Sequence, residues 1–262
     1  MTVQMLFYGH AVPVSAARHA GCSVEVRDHA FCRNVNSVPL TAAEFRSAAG
    51  EYPIVFAVSA SGVQPVVLLG LRAGENLFVS AQGEWQGRYI PAFVRRYPFV
   101  FSAGEDDKRF VLCVDEAFAG FNREGRGQAL FTPQGQPTPY VGKVLRFLQE
   151  YRAQFLRTRA FCRRVQELGL LEPMQARVTL GGRHLSLGGF SAVGRDKLKA
   201  LTGDRLAELA GTDELELVYL HLQSLRNFEG LRSRLPPLPG PPDGVPDVSD
   251  PGAGSGERVT LH

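Results

Sequence analysis

Hydrophobic positions along the chain follow one period in the first half and another in the second. Residues 52–58 are almost continuously apolar and β-branched, and so are residues 64–71. Ser61-Gly62 between them is a turn signal, so the two runs read as hairpin-linked central strands covered on both faces. Ala73-Gly74 turns into a third strand at 76–79. Residues 99–101 and 110–114 read as another strand pair around a polar turn at 104–108, and residues 23–26 alternate as an edge strand. Beyond residue 138 the period lengthens. Val141, Val144, Leu145, Leu148, Tyr151, Phe155, Cys162, Val165 and Leu168 mark one buried stripe, at mostly three- and four-residue steps, along a helix of about eight turns.

Local chemistry sets the boundaries. Thr41 with Glu44 reads as a capping box opening a helix at 42–49, closed by Gly50. Residues 89–96 read as a short helix with Pro91 in its first turn, ended by Tyr97-Pro98 because the residue before proline avoids the α region. Thr138-Pro139 starts the long helix and Gly169 stops it. Residues 177–180 and 184–187 flank Gly181-Gly182 as a hairpin that Gly188-Gly189 closes. A helical stretch at 196–210 breaks at Thr202-Gly203. Thr212 then caps a last helix with Asp213, Glu214 and Glu216 at its start and Arg226, Arg232 and Arg234 toward its end, the order the helix dipole favours. The result is an α+β reading with one domain over residues 1–235. It is antiparallel and β-rich over 1–135, and helical with a hairpin over 136–235. Residues 236–262 open on Pro236-Pro237-Leu238-Pro239-Gly240 and hold too little apolar content to offset ordering entropy, so they read as a disordered tail.

Composition narrows the classes. With 262 residues, 44% hydrophobic content and a net charge of +3, the chain reads as a soluble globular protein. The charge is too even for a nucleic-acid binder. No apolar run approaches the roughly 18 residues a membrane span needs. The start, Met1-Thr2-Val3-Gln4, lacks the cationic region of a secretory signal, which points to a cytoplasmic location. Cys22, Cys32, Cys113 and Cys162 form no close pair, so no metal or cofactor is expected; Cys22 and Cys32 with His19 and His29 would be the first ligands to test.

No catalytic motif stands out. No G-x-S-x-G elbow, Walker A or dinucleotide fingerprint occurs, and His221, between Leu220 and Leu222, reads as a structural histidine. The long helix carries Lys143, Arg146, Arg152, Arg157, Arg159, Arg163 and Arg164 against Glu150 and Glu167, which reads first as a solvated basic face. Trp85, Tyr89, Phe93, Tyr97, Phe99 and Phe101 lie close in sequence to Arg88, Arg95 and Arg96. Core packing explains most of these rings, and a stacking platform for a ligand is the sharper alternative. Arg88, Arg95 and Arg96, with Gln223, Arg226 and Asn227 of the last helix, are the candidate ligand- or partner-binding residues, since guanidinium groups bind carboxylate or phosphate in bidentate fashion.

Four phrases carry a family resemblance: Glu51-Tyr52-Pro53-Ile54-Val55-Phe56; Gly87-Arg88-Tyr89-Ile90-Pro91-Ala92-Phe93-Val94-Arg95-Arg96-Tyr97-Pro98-Phe99; Leu170-Leu171-Glu172-Pro173; and His221-Leu222-Gln223-Ser224-Leu225-Arg226-Asn227-Phe228. In that order, from about Val12 to Leu235, they resemble the bacterial SapC family. The resemblance brings no catalytic residues. The family name implies association with a crystalline surface layer, and members are similar to proteins encoded near outer-membrane receptors, cupin-type oxygenases and flavin-dependent halogenases. The leading expectation is a non-catalytic cytoplasmic accessory or binding protein with a protein or small-molecule partner. The alternatives are an enzyme or enzyme subunit acting on a peptide or carbohydrate, and a surface-layer structural protein. A cavity holding His221 or His19 beside a carboxylate would favour the enzyme.

Overall fold

The computed structural model describes residues 6–103, 110–180, 183–235 and 259–261. The chain opens with β1 (Ala11–Pro13), the single turn α1 (Ala16–His19) and β2 (Ser23–Val24). Strand β3 (Ser37–Pro39) and the turn α2 (Phe45–Ala48) precede the hairpin of β4 (Ile54–Ser59) and β5 (Gly62–Leu68). The turn α3 (Ala92–Arg95) leads into β6 (Phe99–Ala103), β7 (Phe110–Asp115), β8 (Phe121–Asn122) and β9 (Gln128–Ala129). Helix α4 (Pro139–Glu167) is followed by β10 (Leu171–Leu180) and β11 (Arg183–Val193), then α5 (Arg195–Lys199), α6 (Gly203–Gly211), α7 (Glu214–Ser224), α8 (Phe228–Ser233) and the edge strand β12 (Val259–Leu261).

Strand pairing is antiparallel throughout, so the fold is α+β as the residue pattern implies. The largest sheet runs β12-β10-β11-β4-β5-β3, with the continuously apolar β4 and β5 inside it. Two small sheets, β1-β7-β6 and β8-β2-β9, form a second unit of strands. Helix α4 ties them together. Its later residues Phe161, Cys162 and Val165 enter the main core with Phe45, Ile54 and Phe56, while Val141 and Leu148 enter a separate core with Val24, Phe99, Val114 and Leu130. At 1.5 Å per residue, 29 residues reach about 43 Å, enough to serve both. Among the described residues no helix is long and apolar enough to cross a membrane.

Several local expectations change. Residues 76–79 form no strand; a single bridge joins Val79 to Trp85. The 42–49 helix is a 3-10 turn, Ala42–Glu44, followed by the turn α2, and Glu44 accepts from both Thr41 N and Thr41 Oγ1 as a capping glutamate should. Helix α3 starts after Pro91, leaving Tyr89 outside it. Gly188-Gly189 lies inside β11 instead of closing the hairpin. Pairing shifts between Met174↔Phe190 and Ala176↔Leu187, so the two glycines oppose Gln175 as a bulge, with Gly189 at φ 84°. Thr212 closes α6, donating to Glu208 O and Leu209 O, and Asp213 at φ 60° is the residue before α7. The turns at 104–108 and 181–182 and most of the tail lie outside the described residues. At its end, Val259–Leu261 pairs with β10, where the residue pattern suggests disorder.

Candidate functional site

Two carboxylates hold the segment that leads into α3. Glu51 accepts the backbone N–H groups of Arg88 and Tyr89, and buried Glu44 accepts Ala92 N at 2.7 Å and the Tyr89 hydroxyl at 2.9 Å. Tyr52, fully buried, donates to Tyr89 O, which Trp85 Nε1 also reaches at 3.1 Å. Gly87 is needed here: a Cβ would stand 2.5 Å from Tyr52 Oη and 2.8 Å from Trp85 Nε1. Burial, then the neighbouring acids Glu51 and Glu44, push the Tyr52 and Tyr89 phenols far above their ordinary range, so both remain hydrogen-bonding phenols. Much of the Gly87–Ala92 phrase therefore serves to position α3.

Helix α3 delivers a pair of arginines with different surroundings. Arg95 is exposed; its Nε donates to Ile90 O, and its guanidinium lies 5.3 Å from the Phe147 ring centre. Arg96 is buried. Its guanidinium stacks 3.9 Å over Phe93, with Tyr151 at 5.3 Å and Tyr8 at 5.7 Å. Burial pushes the Tyr8 phenol up to about 12 against the opposing pull of Arg96. Beyond them, Tyr97 donates to Asp115 Oδ2, and that buried carboxylate also takes the N–H groups of Gly9, His10 and Ala117. Burial raises its pKa, but these bonds outweigh burial and leave it below the usual carboxylate range.

Arg95 and Arg96 open onto a cavity of about 380 Å³. One wall is Val26, His29 and Phe31 from the loop after β2; another is Val94, Tyr97 and Phe99; the third is Tyr140, Lys143, Val144 and Phe147 from the first turns of α4. Among the described residues that line it there is no Asp or Glu. Burial lowers the His29 pKa, so its ring is neutral at neutral pH and the positive charge belongs to Arg95, Arg96 and Lys143. The cavity holds neither His221 nor His19.

His221, on α7, instead reaches its ring into the main sheet. Extending the register of Phe56↔Ser191 would place Ile54 opposite Val193, and the imidazole stands between those two backbones. Its Nδ1–H donates to Ile54 O at 2.7 Å and its Nε2 accepts Val193 N–H at 3.0 Å. Burial pushes its pKa down to about 4, and only the neutral ring can make both bonds. Ser224 extends the clasp, accepting Ile54 N and donating to His221 O. Asn227 donates to Ala49 O and Tyr52 O, and Arg88 meets the same turn through Glu51 and Gly50. Gln223 and Arg226 are exposed on the helix surface, away from the cavity lining. So Arg95 and Arg96 come together on the cavity, and Arg88 and Asn227 come together on the 49–52 turn.

The remaining candidates are held structurally. His19 is fully buried, with Nδ1 3.1 Å from Ser15 N and Nε2 3.3 Å from Glu116 Oε1. A hydrogen bond from Arg18 holds the Glu116 carboxyl down at about 2. The four cysteines are buried and free, and burial pushes Cys32 and Cys162 up to about 12. Among the described residues no group of three His, Cys, Asp or Glu converges as a metal site would require. Of the basic residues on α4, Arg152 stacks 3.6 Å over Phe110, Arg164 pairs with Glu214, and Lys143 faces the cavity. The residue pattern misses the contribution of Tyr140, Lys143 and Phe147; the only sequence signal is that Lys143 belongs to the basic set of the long helix. A family model, SapC, matches residues 14–231 of the chain, and no curated protein and no solved structure matches it.

Proposed function

The chain belongs to the SapC family, and from that premise we propose that it is a non-catalytic binding protein whose ligand seats between α3 and the start of α4. The observation that carries this reading is the cavity itself: about 380 Å³, walled by aromatic and aliphatic side chains, with Arg95, Arg96 and Lys143 as its charged groups. Small-molecule sites have this size and this mixture of apolar walls with a few placed polar groups. Among the described residues, its lining lacks the pairing of a base with a nucleophile that acyl or phosphoryl chemistry uses. The enzyme reading receives less support, since the histidines that would have favoured it are buried away from the cavity.

The test is to purify the full chain under native conditions and identify by mass spectrometry the small molecules it releases on denaturation. Val144→Trp, which fills the cavity from a half-buried position, is the comparison. A compound released by the wild type and lost from the variant, at unchanged melting temperature, is the expected result. Identical sets from both proteins would place the ligand elsewhere.

A further inference from the structure

Resting on that reading, we propose that the cavity takes an aromatic carboxylate, its ring against the aromatic walls and its carboxylate between Arg95 and Lys143. Three observations lead to this class. The first is the sign of the charge. Arg95, Arg96 and Lys143 line the cavity with no Asp or Glu among the described residues there, so a cation would be repelled and an anion attracted. Lys143 in particular has no ion-pair or hydrogen-bond partner among the described residues, although it stands on the cavity wall.

The second observation is the division of the site. Arg95 and Lys143 are exposed, whereas Val94, Tyr97 and Phe99 behind them are buried. A ligand with one charged end and one apolar end matches that gradient. Arg95 is held in place by its Nε bond to Ile90 O and by the Phe147 ring beneath it. A planar fork fixed in this way suits two parallel bonds to a carboxylate.

The third observation concerns the body and the head of the ligand. Phe99 and Tyr140 meet edge to face at 5.9 Å, and Phe31 and Tyr97 lie 4.3 Å apart, so the walls present both faces and edges of rings. Flat rings gain offset-stacked and edge-to-face contacts there that a flexible alkyl chain does not. A singly charged carboxylate also loses less hydration on entering apolar surroundings than a doubly charged phosphate does.

The experiment is calorimetric titration of the full chain with 2-naphthoate, its uncharged counterpart 2-naphthamide, octanoate and inorganic phosphate. Binding of 2-naphthoate at least about tenfold tighter than each of the others, and weakening with added salt, is the expected result. Lys143→Gln and Arg95→Gln, both at exposed positions, should each cost about tenfold in 2-naphthoate affinity, with Lys143→Arg restoring most of it. Equal binding of 2-naphthamide would overturn the anionic class, and equal binding of octanoate the aromatic one; in both cases the binding reading stands. If none of the four binds, the proposal fails, and the Val144→Trp comparison decides whether the binding reading fails with it.

Discussion

Between residues 221 and 228 the buried polar atoms end on backbone. His221 bridges Ile54 O and Val193 N, Ser224 takes Ile54 N, and Asn227 holds the carbonyls of Ala49 and Tyr52. Between residues 93 and 97 the arrangement differs. Arg96 is surrounded by aromatic faces, Arg95 donates to Ile90 O and leans on Phe147, and both border the cavity. Both stretches mix aromatic, basic and amide side chains, and both carry the family resemblance. What separates them is the cavity, which Arg95 and Arg96 border and residues 221–228 do not. A buried group with its bonds taken by backbone stabilises the fold, whereas cations beside an apolar cavity are suited to a ligand.

The largest effect expected from this contrast is on stability. His221→Ala removes both bridging bonds, leaves Ile54 O and Val193 N–H buried without partners, and opens space beside Phe56. The loss should be about 3–5 kcal/mol, seen as a fall of about 10 °C or more in Tm. A shift of a degree or two would mean that the clasp is dispensable.

Next is pH. The His221 pKa is 6.5 when unfolded and about 4 when folded, so between those values the unfolded chain binds more protons. Stability from this group is therefore full above pH 6.5 and falls as pH drops toward 4, by about 3 kcal/mol in all. Urea midpoints measured from pH 7.5 to 4 should show the decline, and His221→Gln should flatten it. Asp115 and Glu116, both held below the ordinary carboxylate range, contribute their losses at the acid end of this window and below it.

Smaller effects sharpen the other side of the comparison. Gln223→Ala and Arg226→Ala, at exposed positions, should change stability by less than about 0.5 kcal/mol and leave 2-naphthoate affinity as it was. Removing residues 236–262 takes β12 off the outer edge of β10 and should lower Tm by only a few degrees. A larger fall would show that the end of the chain carries more of the sheet than one three-residue strand.

The main elements are legible because their signals are local. The β4–β5 hairpin shows in two apolar runs around Ser61-Gly62, and α4 in a stripe that begins at a threonine and a proline. Residues 76–79 resemble a strand because their apolar side chains pack into the core from an irregular segment with one bridge, which a short run cannot distinguish from a paired strand. The glycine pair at 188–189 looks like a stop but accommodates a bulge. As for the cavity, the pattern points to Arg95 and Arg96 but groups them with Gln223, Arg226 and Asn227, which lie outside its lining, since no local signal says that residues 140–147 lie opposite residues 26–31. That proximity comes from α4 crossing both cores.

A heteronuclear NMR titration with 2-naphthoate tests the central contrast most directly. Shifts are expected at His29, Val94 to Tyr97, and Lys143 to Phe147, with residues 221–228 unmoved. Shifts centred on Gln223, Arg226 and Asn227, or no shifts at saturating ligand, would contradict it.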